Sequence, residues 1–158
     1  MIRRFLPTRA PLLALVLMPL LSACASLPAP DDFLVVRENP RELKAVASDD
    51  AMYWVRNFRD EHRGDFKFWS ATLESEFVEQ RGYSLVNRQE LQINGQDVLQ
   101  LTFEATASGI GYGYLVLMWV ESGVFNNRIH VVEYMATNDC FETHVKAVLE
   151  AATQSVGR

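Results

Sequence analysis

Apolar residues recur at every third or fourth position in two segments of the chain, which is the spacing of one helix face. The first segment covers about residues 65–81, with Asp65 as an N-cap residue and Gly82 as a helix-ending glycine. The second covers about residues 139–154. The apolar stripes consist of Phe66, Trp69, Leu73 and Phe77, and of Phe141, Val145, Val148, Leu149 and Ala152. We therefore predict two amphipathic helices, each packed on another part of the fold.

Six further segments have the composition and spacing of β-strands. They are residues 43–47, 51–59, 83–93, 97–105, 112–121 and 128–136. The last two are the most apolar and do not alternate with polar residues, so they are expected to be central strands buried on both faces. We expect helices on one side of them and the remaining chain or a ligand on the other. The predicted fold class is α+β, a single antiparallel sheet of about six strands packed against two helices.

The third and fourth predicted strands are joined by Asn94, Gly95 and Gln96. A two-residue Asn-Gly turn would place Leu99 opposite Glu90. A three-residue loop places Leu99 opposite Leu91 and brings the apolar residues of both strands to one face. We therefore predict a bulged hairpin with a three-residue loop.

The chain begins with a basic stretch followed by the apolar residues 10–21. Its three basic residues are Arg3, Arg4 and Arg9. This apolar run is too short for a membrane-spanning helix, which needs about 20 residues, but it has the length of the apolar region in a secretory signal peptide. Residues 1–23 are therefore predicted to be a cleaved signal peptide.

The tetrad Leu21, Ser22, Ala23 and Cys24 resembles the lipobox of bacterial lipoproteins. That resemblance implies cleavage before Cys24, a diacylglycerol on its sulfur, and a third fatty acyl chain, such as palmitate, on its amino group. Three chains would give a stable membrane anchor. The next residue is Ala25 and not Asp, which by the same resemblance implies the outer membrane, facing the periplasm. An ordinary signal peptide with a chance cysteine and exposure at the cell surface are the alternatives.

Residues 24–32 read as the lipidated cysteine and a flexible tether, because they contain two prolines and no apolar periodicity. Residues 33–158 then form one α+β domain. Removing the signal peptide takes away three of the 15 basic residues and none of the 20 acidic ones, which leaves a net charge of −8. Such a body repels phosphate backbones, so no nucleic-acid partner is expected. The tether is expected to hold this acidic domain clear of an anionic membrane.

Patterns for catalysis or cofactor binding are incomplete. Cys140 and His144 are one helical turn apart, as two metal ligands or a thiolate and its base would be, but a zinc site needs at least three protein ligands. Cys140 has no cysteine partner in the mature chain and is expected to be a small buried group. Gly109, Gly111 and Gly113 match part of a dinucleotide-binding motif, yet a strand follows them where a helix is needed. We predict no metal, no cofactor and no catalytic residue.

Glu133 is an unusual residue, because it shares a strand face with apolar side chains. A carboxylate there has either a raised pKa or a basic partner, and Arg56 and Arg88 are the candidates. His130 lies on the opposite face of a regular strand, so it cannot form an acid and base pair with Glu133.

The order of the predicted elements over about residues 34–156 resembles the Mog1/PsbP-like fold. Members of that group are mostly accessory or docking subunits without a shared catalytic site, so the resemblance implies binding and assigns a role to no residue. From the aromatic residues, Phe68, Tyr112 and Tyr114 are predicted to form a partner surface, because Phe68 lies off the helix stripe and the two tyrosines open a central strand.

The sequence therefore predicts a lipid-anchored, non-enzymatic docking or assembly accessory protein of the bacterial cell envelope, bound to the membrane through its anchor and to a protein partner. One alternative is a carrier for a small apolar ligand, which would need a pocket of about 300 Å3 or more. The other is an envelope hydrolase, which would need at least two acidic or histidine side chains converging in one cleft.

Overall fold

The computed structural model of the protein describes residues 28–157, in which seven antiparallel strands form one sheet with an α-helix on each face. The strands are β1 (Leu34–Asn39), β2 (Glu42–Val46), β3 (Met52–Asp60), β4 (Ser84–Ile93), β5 (Gln96–Ala107), β6 (Ile110–Glu121) and β7 (Asn127–Thr137). The helices are α1 (Phe66–Ser75), which continues into a π-helical turn (Glu76–Gln80), and α2 (Asn138–Ser155). The order in the sheet is β1-β2-β3-β7-β6-β5-β4. The predicted signal peptide and Cys24 lie outside the described residues.

The α+β fold class is confirmed, with seven strands in place of about six. All six predicted strands are present, and the additional one is β1, an edge strand whose six residues are all exposed. Because neither face of β1 is buried, its sequence shows no alternation of apolar and polar residues that could have revealed it.

Strand β6 is buried on both faces, as predicted, but the arrangement of the helices differs from our expectation. One helix covers each face. Helix α1, which follows β3, packs on one side, and helix α2, which follows β7, packs on the other. Alternate residues of β6 separate into the two cores. Leu115, Leu117 and Trp119 face α2, and Val116, Met118 and Val120 face α1.

The predicted three-residue hairpin loop between β4 and β5 is wrong. Asn94 (φ 52°) and Gly95 (φ 77°) form a two-residue turn, and the register places Leu99 opposite Glu90. Strand β4 is an edge strand with mostly exposed residues, so its apolar side chains need not share a face with those of β5. The favourable Asn-Gly turn therefore decides the register.

Helix α1 begins where the sequence predicts. The Asp65 carboxylate accepts a hydrogen bond from the Phe68 backbone N–H at 2.8 Å. At the other end Gly82 adopts a positive φ of 69°, and the Tyr83 N–H donates to the Phe77 carbonyl at 3.0 Å. This exit places Phe77 and Tyr83 in the core on the α1 face.

Residues 28–32, the end of the predicted tether, lie against α2. Pro30 is buried, and Ala29 packs against the core on that side. Asp32 pairs with His144 at 2.6 Å. None of the helices within residues 28–157 has the length and apolar character needed to cross a membrane.

Candidate functional site: a groove beside helix α1

Helix α1 packs over β5 and β6, and Ile129 and Val131 of β7 are also buried on that face, so β2 and β3 are its less covered part. Two hollows open beside the helix on this face. The first, of about 190 Å3, is lined by Lys44, Met52, Trp54, Tyr83, Tyr114, Glu133 and Met135. The second, of about 160 Å3, is lined by Arg56, Phe58, Trp69, Thr72, Leu73, Glu76, Met118, Ile129 and Val131. We call the two hollows and the ion pair between them the Glu133 groove.

Glu133 is the buried charge at the centre of this groove, with only 3% of its surface exposed. One carboxylate oxygen accepts a hydrogen bond from Arg56, and the other accepts one from the Tyr114 hydroxyl. The Arg81 Nη1 lies 3.9 Å from Glu133 Oε2. The predicted basic partner Arg56 is therefore confirmed.

Arg88, the other candidate partner, pairs elsewhere. Its guanidinium contacts Glu74 at 3.0 Å and Glu90 at 2.7 Å on the surface. His130 stacks on Trp119 on the opposite face of the sheet, with 4.8 Å between ring centroids, so it is separated from Glu133 as predicted.

The Tyr114 hydroxyl is held in its protonated form. Burial raises the pKa of Tyr114 well above its ordinary value, and the neighbouring negative charge of Glu133 raises it further. The phenol therefore remains a hydrogen-bond donor to Glu133 at all physiological pH values. Together, the phenol and the Arg56 guanidinium neutralise and orient a carboxylate that would otherwise be costly to bury.

The Arg56 guanidinium is fixed on its other side by an aromatic ring. It lies over the Trp54 indole at 4.1 Å from the ring centroid, and the Trp54 Nε1–H donates to Glu42 at 2.9 Å. Within the described part of the chain, the Arg56 Nε has no hydrogen-bond acceptor. The Nε atom is itself buried, whereas the Arg56 side chain as a whole is 34% exposed and forms part of the groove wall.

The three residues predicted to form a partner surface are not brought together. Phe68 is 56% exposed at the start of α1, whereas Tyr112 is half-buried near the start of β6, at the opposite end of the sheet. Tyr114 is 7% exposed and belongs to the Glu133 groove. Sequence reasoning did not assign Trp54 or Arg81 to a site. The alternation of Trp54, Arg56 and Phe58 along one face of β3 is the signal that could have revealed the groove.

Cys140 and His144 both lie near Asp49. His144 Nδ1 lies 2.6 Å from an Asp32 oxygen, and its Nε2 lies 2.9 Å from an Asp49 oxygen. Burial lowers the pKa of His144, but the hydrogen bonds that its ring donates to the Asp49 and Asp32 carboxylates outweigh this effect, so the pKa is raised above its ordinary value. Cys140 is a half-buried free thiol. Among residues 28–157, no three histidine, cysteine or acidic side chains are grouped to bind a metal ion.

No protein-family model matches the chain, and no curated protein matches it. Two solved structures share its fold. LpqN, a protein involved in cell envelope biogenesis in Mycobacterium tuberculosis, aligns with a TM-score of 0.59 and 17% identity over 80% of this chain and 76% of LpqN. PA94, a protein of unknown function from Pseudomonas aeruginosa, aligns with a TM-score of 0.55 and 18% identity over 80% of this chain and 97% of PA94. At these identities the similarity concerns the fold.

Proposed function

We propose that this protein is a lipid-anchored, non-enzymatic docking protein of the bacterial cell envelope, and that the Glu133 groove binds a segment of a partner protein. The observation that carries the proposal is the form of the groove. Two hollows of about 190 and 160 Å3 lie on either side of a fixed ion pair. A partner segment can place one apolar side chain in each hollow and direct a backbone carbonyl toward Arg56.

The volumes favour a protein partner over a small-molecule cargo. Pockets for drug-sized ligands usually enclose about 300 Å3 or more, and neither hollow reaches that volume. The Arg56 and Glu133 pair separates them, so one ligand cannot fill both without breaking a buried ion pair. Two separate side chains of a partner segment can each fill one hollow without breaking that ion pair.

The arrangement of Glu133 supports binding more than catalysis. A general base needs a free lone pair directed at its substrate. Both Glu133 oxygens already accept hydrogen bonds, one from the Arg56 guanidinium and one from the Tyr114 hydroxyl, so the carboxylate is held in place and organises the groove.

The proposed location follows from the sequence and from the fold. The tetrad ending at Cys24 resembles a lipobox, and the Mog1/PsbP-like layout implies an accessory role. LpqN, which shares the fold, is described as involved in cell envelope biogenesis. We propose that the anchor holds the domain at the outer membrane, facing the periplasm.

Site-specific photo-crosslinking in intact cells tests the proposal. A photoreactive amino acid replaces Met52 in the first hollow or Thr72 at the rim of the second, and Lys146, which is 90% exposed on α2, serves as the matched control. We expect the same partner protein to be crosslinked from both groove positions and not from position 146. A Thr72→Trp substitution, which covers the second hollow, should weaken crosslinking from position 52.

Two results would contradict the docking function. The first is that the groove positions give no more crosslinked protein than position 146. The second is that native mass spectrometry of protein purified from cells shows a bound small molecule that Thr72→Trp removes, since this would favour the carrier function.

A further inference from the structure

The loop between β6 and β7 carries the two most exposed apolar side chains among the described residues. Val124 is 84% exposed and Phe125 is 88% exposed. The loop is not loose, because the Arg63 guanidinium donates to the carbonyls of Gly123 and Val124 at 3.0 and 3.2 Å. A fixed loop that presents a valine and a phenylalanine to solvent is typical of a surface that contacts a membrane or another protein.

Two arginines lie at the same end of the sheet. Arg59 and Arg128 are directly opposite each other at the ends of β3 and β7. Like charges in this position repel. Glu121 of β6 lies opposite Arg128 on its other side, and Glu61 lies on the neighbouring loop, but within the described residues neither guanidinium has a carboxylate at ion-pair distance. An anionic partner would relieve this repulsion.

The N-terminal segment leaves the domain at this same end. Asp32 pairs with His144, and residues 28–32 together with Ala147, Glu150, Ala151 and Gln154 line a shallow groove along α2, so Pro28 lies toward the C-terminal end of that helix. That helix end is joined to the β4–β5 turn, since the Asn94 side chain donates to the Val156 carbonyl at 3.1 Å.

The same turn adjoins the end of β6. The Gln96 side chain donates to the Val120 carbonyl at 3.0 Å, and β6 ends at Glu121. The β4–β5 turn, the β6–β7 loop and the end of α2 therefore all lie at one end of the sheet, which we call the loop end.

The length of the connection to Cys24 brings the loop end close to lipid. Four peptide steps separate Cys24 from Pro28, and an extended chain covers at most about 3.6 Å per residue, so these residues can span no more than about 14 Å. An anchor at Cys24 therefore cannot hold the domain far from the bilayer, in contrast to the clearance we expected from the net charge.

We infer that the loop end docks on the anionic bilayer to which the protein is anchored, with Val124 and Phe125 in the interface and Arg59 and Arg128 at lipid phosphates. An aromatic side chain enters the headgroup region favourably, and basic residues near the surface are attracted to anionic lipid. The inference rests on the lipid anchor proposed above. It gives the domain a fixed orientation, in which the long axes of β6 and β7 extend from the loop end away from the membrane.

The test uses lipidated full-length protein purified from cells, in a Cys140→Ser background, with an environment-sensitive fluorophore on Phe125→Cys. Lys146→Cys is the matched control. The protein is reconstituted into vesicles of phosphatidylcholine and phosphatidylglycerol in a ratio of about 7:3. We expect about a twofold rise in emission with a blue shift at position 125, quenched by nitroxide lipids, and no change at position 146. Arg59→Gln combined with Arg128→Gln should remove most of the rise.

Flotation of the vesicles shows whether a negative result is due to the absence of docking or to the absence of the lipid anchor. If the protein floats with the vesicles but the label at position 125 stays as exposed to water as the one at position 146, docking is wrong and the anchor stands. If the protein does not float, the anchor is absent, and both the proposed location and the docking inference are overturned.

Discussion

Two titratable side chains, Glu133 and His144, each pair with side chains from two other parts of the fold. Glu133 binds Arg56 of β3 and Tyr114 of β6 on the α1 face. On the other face, His144 of α2 contacts Asp32 before β1 and Asp49 in the β2–β3 turn. At the scale of single residues, each of these side chains therefore links its own element to two neighbouring elements through polar and charged contacts. Only His144 has an ordinary pKa near neutrality.

We predict that the contacts of His144 make stability depend on pH. Its folded-state pKa is raised above the ordinary value of 6.5, so the stabilisation is complete below pH 6.5 and is lost as the pH rises through the folded-state pKa. A neutral imidazole can donate to only one of the two carboxylates. His144→Gln should cost about 1–2 kcal/mol below pH 6.5 and less above the folded-state pKa. Urea unfolding from about pH 5 to 9 measures this.

The comparison must isolate His144 from a second histidine with the opposite effect. Burial lowers the pKa of His130, so its contribution is lost as the pH falls below its ordinary value. The difference between the wild-type and His144→Gln profiles removes the His130 contribution. His62→Gln, which removes a histidine from an exposed loop, is the control. A difference between wild type and His144→Gln that does not vary with pH would contradict the prediction.

At the scale of elements, α2 approaches β6 closely because β6 lacks side chains at the contact. A Cβ at Gly113 would overlap the Phe141 ring. A Cβ at Gly111 would lie 2.5 Å from the Asn138 Nδ2, which is closer than a normal contact. Gly109, with φ 81°, forms the β5–β6 turn with Ser108. The glycine-rich segment therefore serves a turn and a helix contact, and a strand runs through it where a phosphate loop would need a helix.

We predict that Gly113→Ala destabilises the protein by about 1–3 kcal/mol, because the new methyl group displaces the Phe141 ring from the core. Phe141→Leu should cost less in the Gly113→Ala background than in the wild type, since the shorter side chain leaves room. A double-mutant cycle from urea unfolding measures this coupling. Additive costs would show that the two positions do not interact.

The parts of the fold that could be predicted from the sequence are those in which burial constrains the local pattern. The stripe on α1 and the two-sided burial of β6 follow directly from such patterns. Strand β1 and the register of β4 could not be predicted, because edge strands bury little and their apolar residues are not forced to one face.

Only part of the candidate site could be predicted from the sequence. For Glu133 on an apolar face the sequence predicted either a raised pKa or a basic partner, and Arg56 was one of two candidates for that partner. The contribution of Arg81 depends on where the turn after α1 brings it beside Glu133 of β7, which no local pattern encodes, whereas Trp54 lies two residues from Arg56 on the same face of β3. Sequence patterns therefore identified the buried charge but not the groove around it.

At the scale of the whole molecule, the two faces of the sheet differ in a way that suits an anchored docking protein. The N-terminal segment and α2 close one face, with Phe33 buried among the rings of Tyr53, Tyr134 and His144. On the other face two hollows open beside helix α1. If the loop end rests on lipid, the Glu133 groove opens to the side of the anchored domain, where a neighbouring protein can reach it.

This arrangement requires Cys24 to be acylated. We predict that Cys24→Ser abolishes palmitate labelling and releases the protein from the membrane fraction, because each buried methylene contributes about 0.8 kcal/mol and three chains are lost together. Cys140→Ser is the matched control, since Cys140 is the only other cysteine of the chain and should leave labelling and fractionation unchanged. Intact mass spectrometry of the wild-type protein should show an acylated N-terminus at Cys24. A mass that retains Met1, or a bare thiol at Cys24, would exclude the anchor and with it the orientation of the groove beside the membrane.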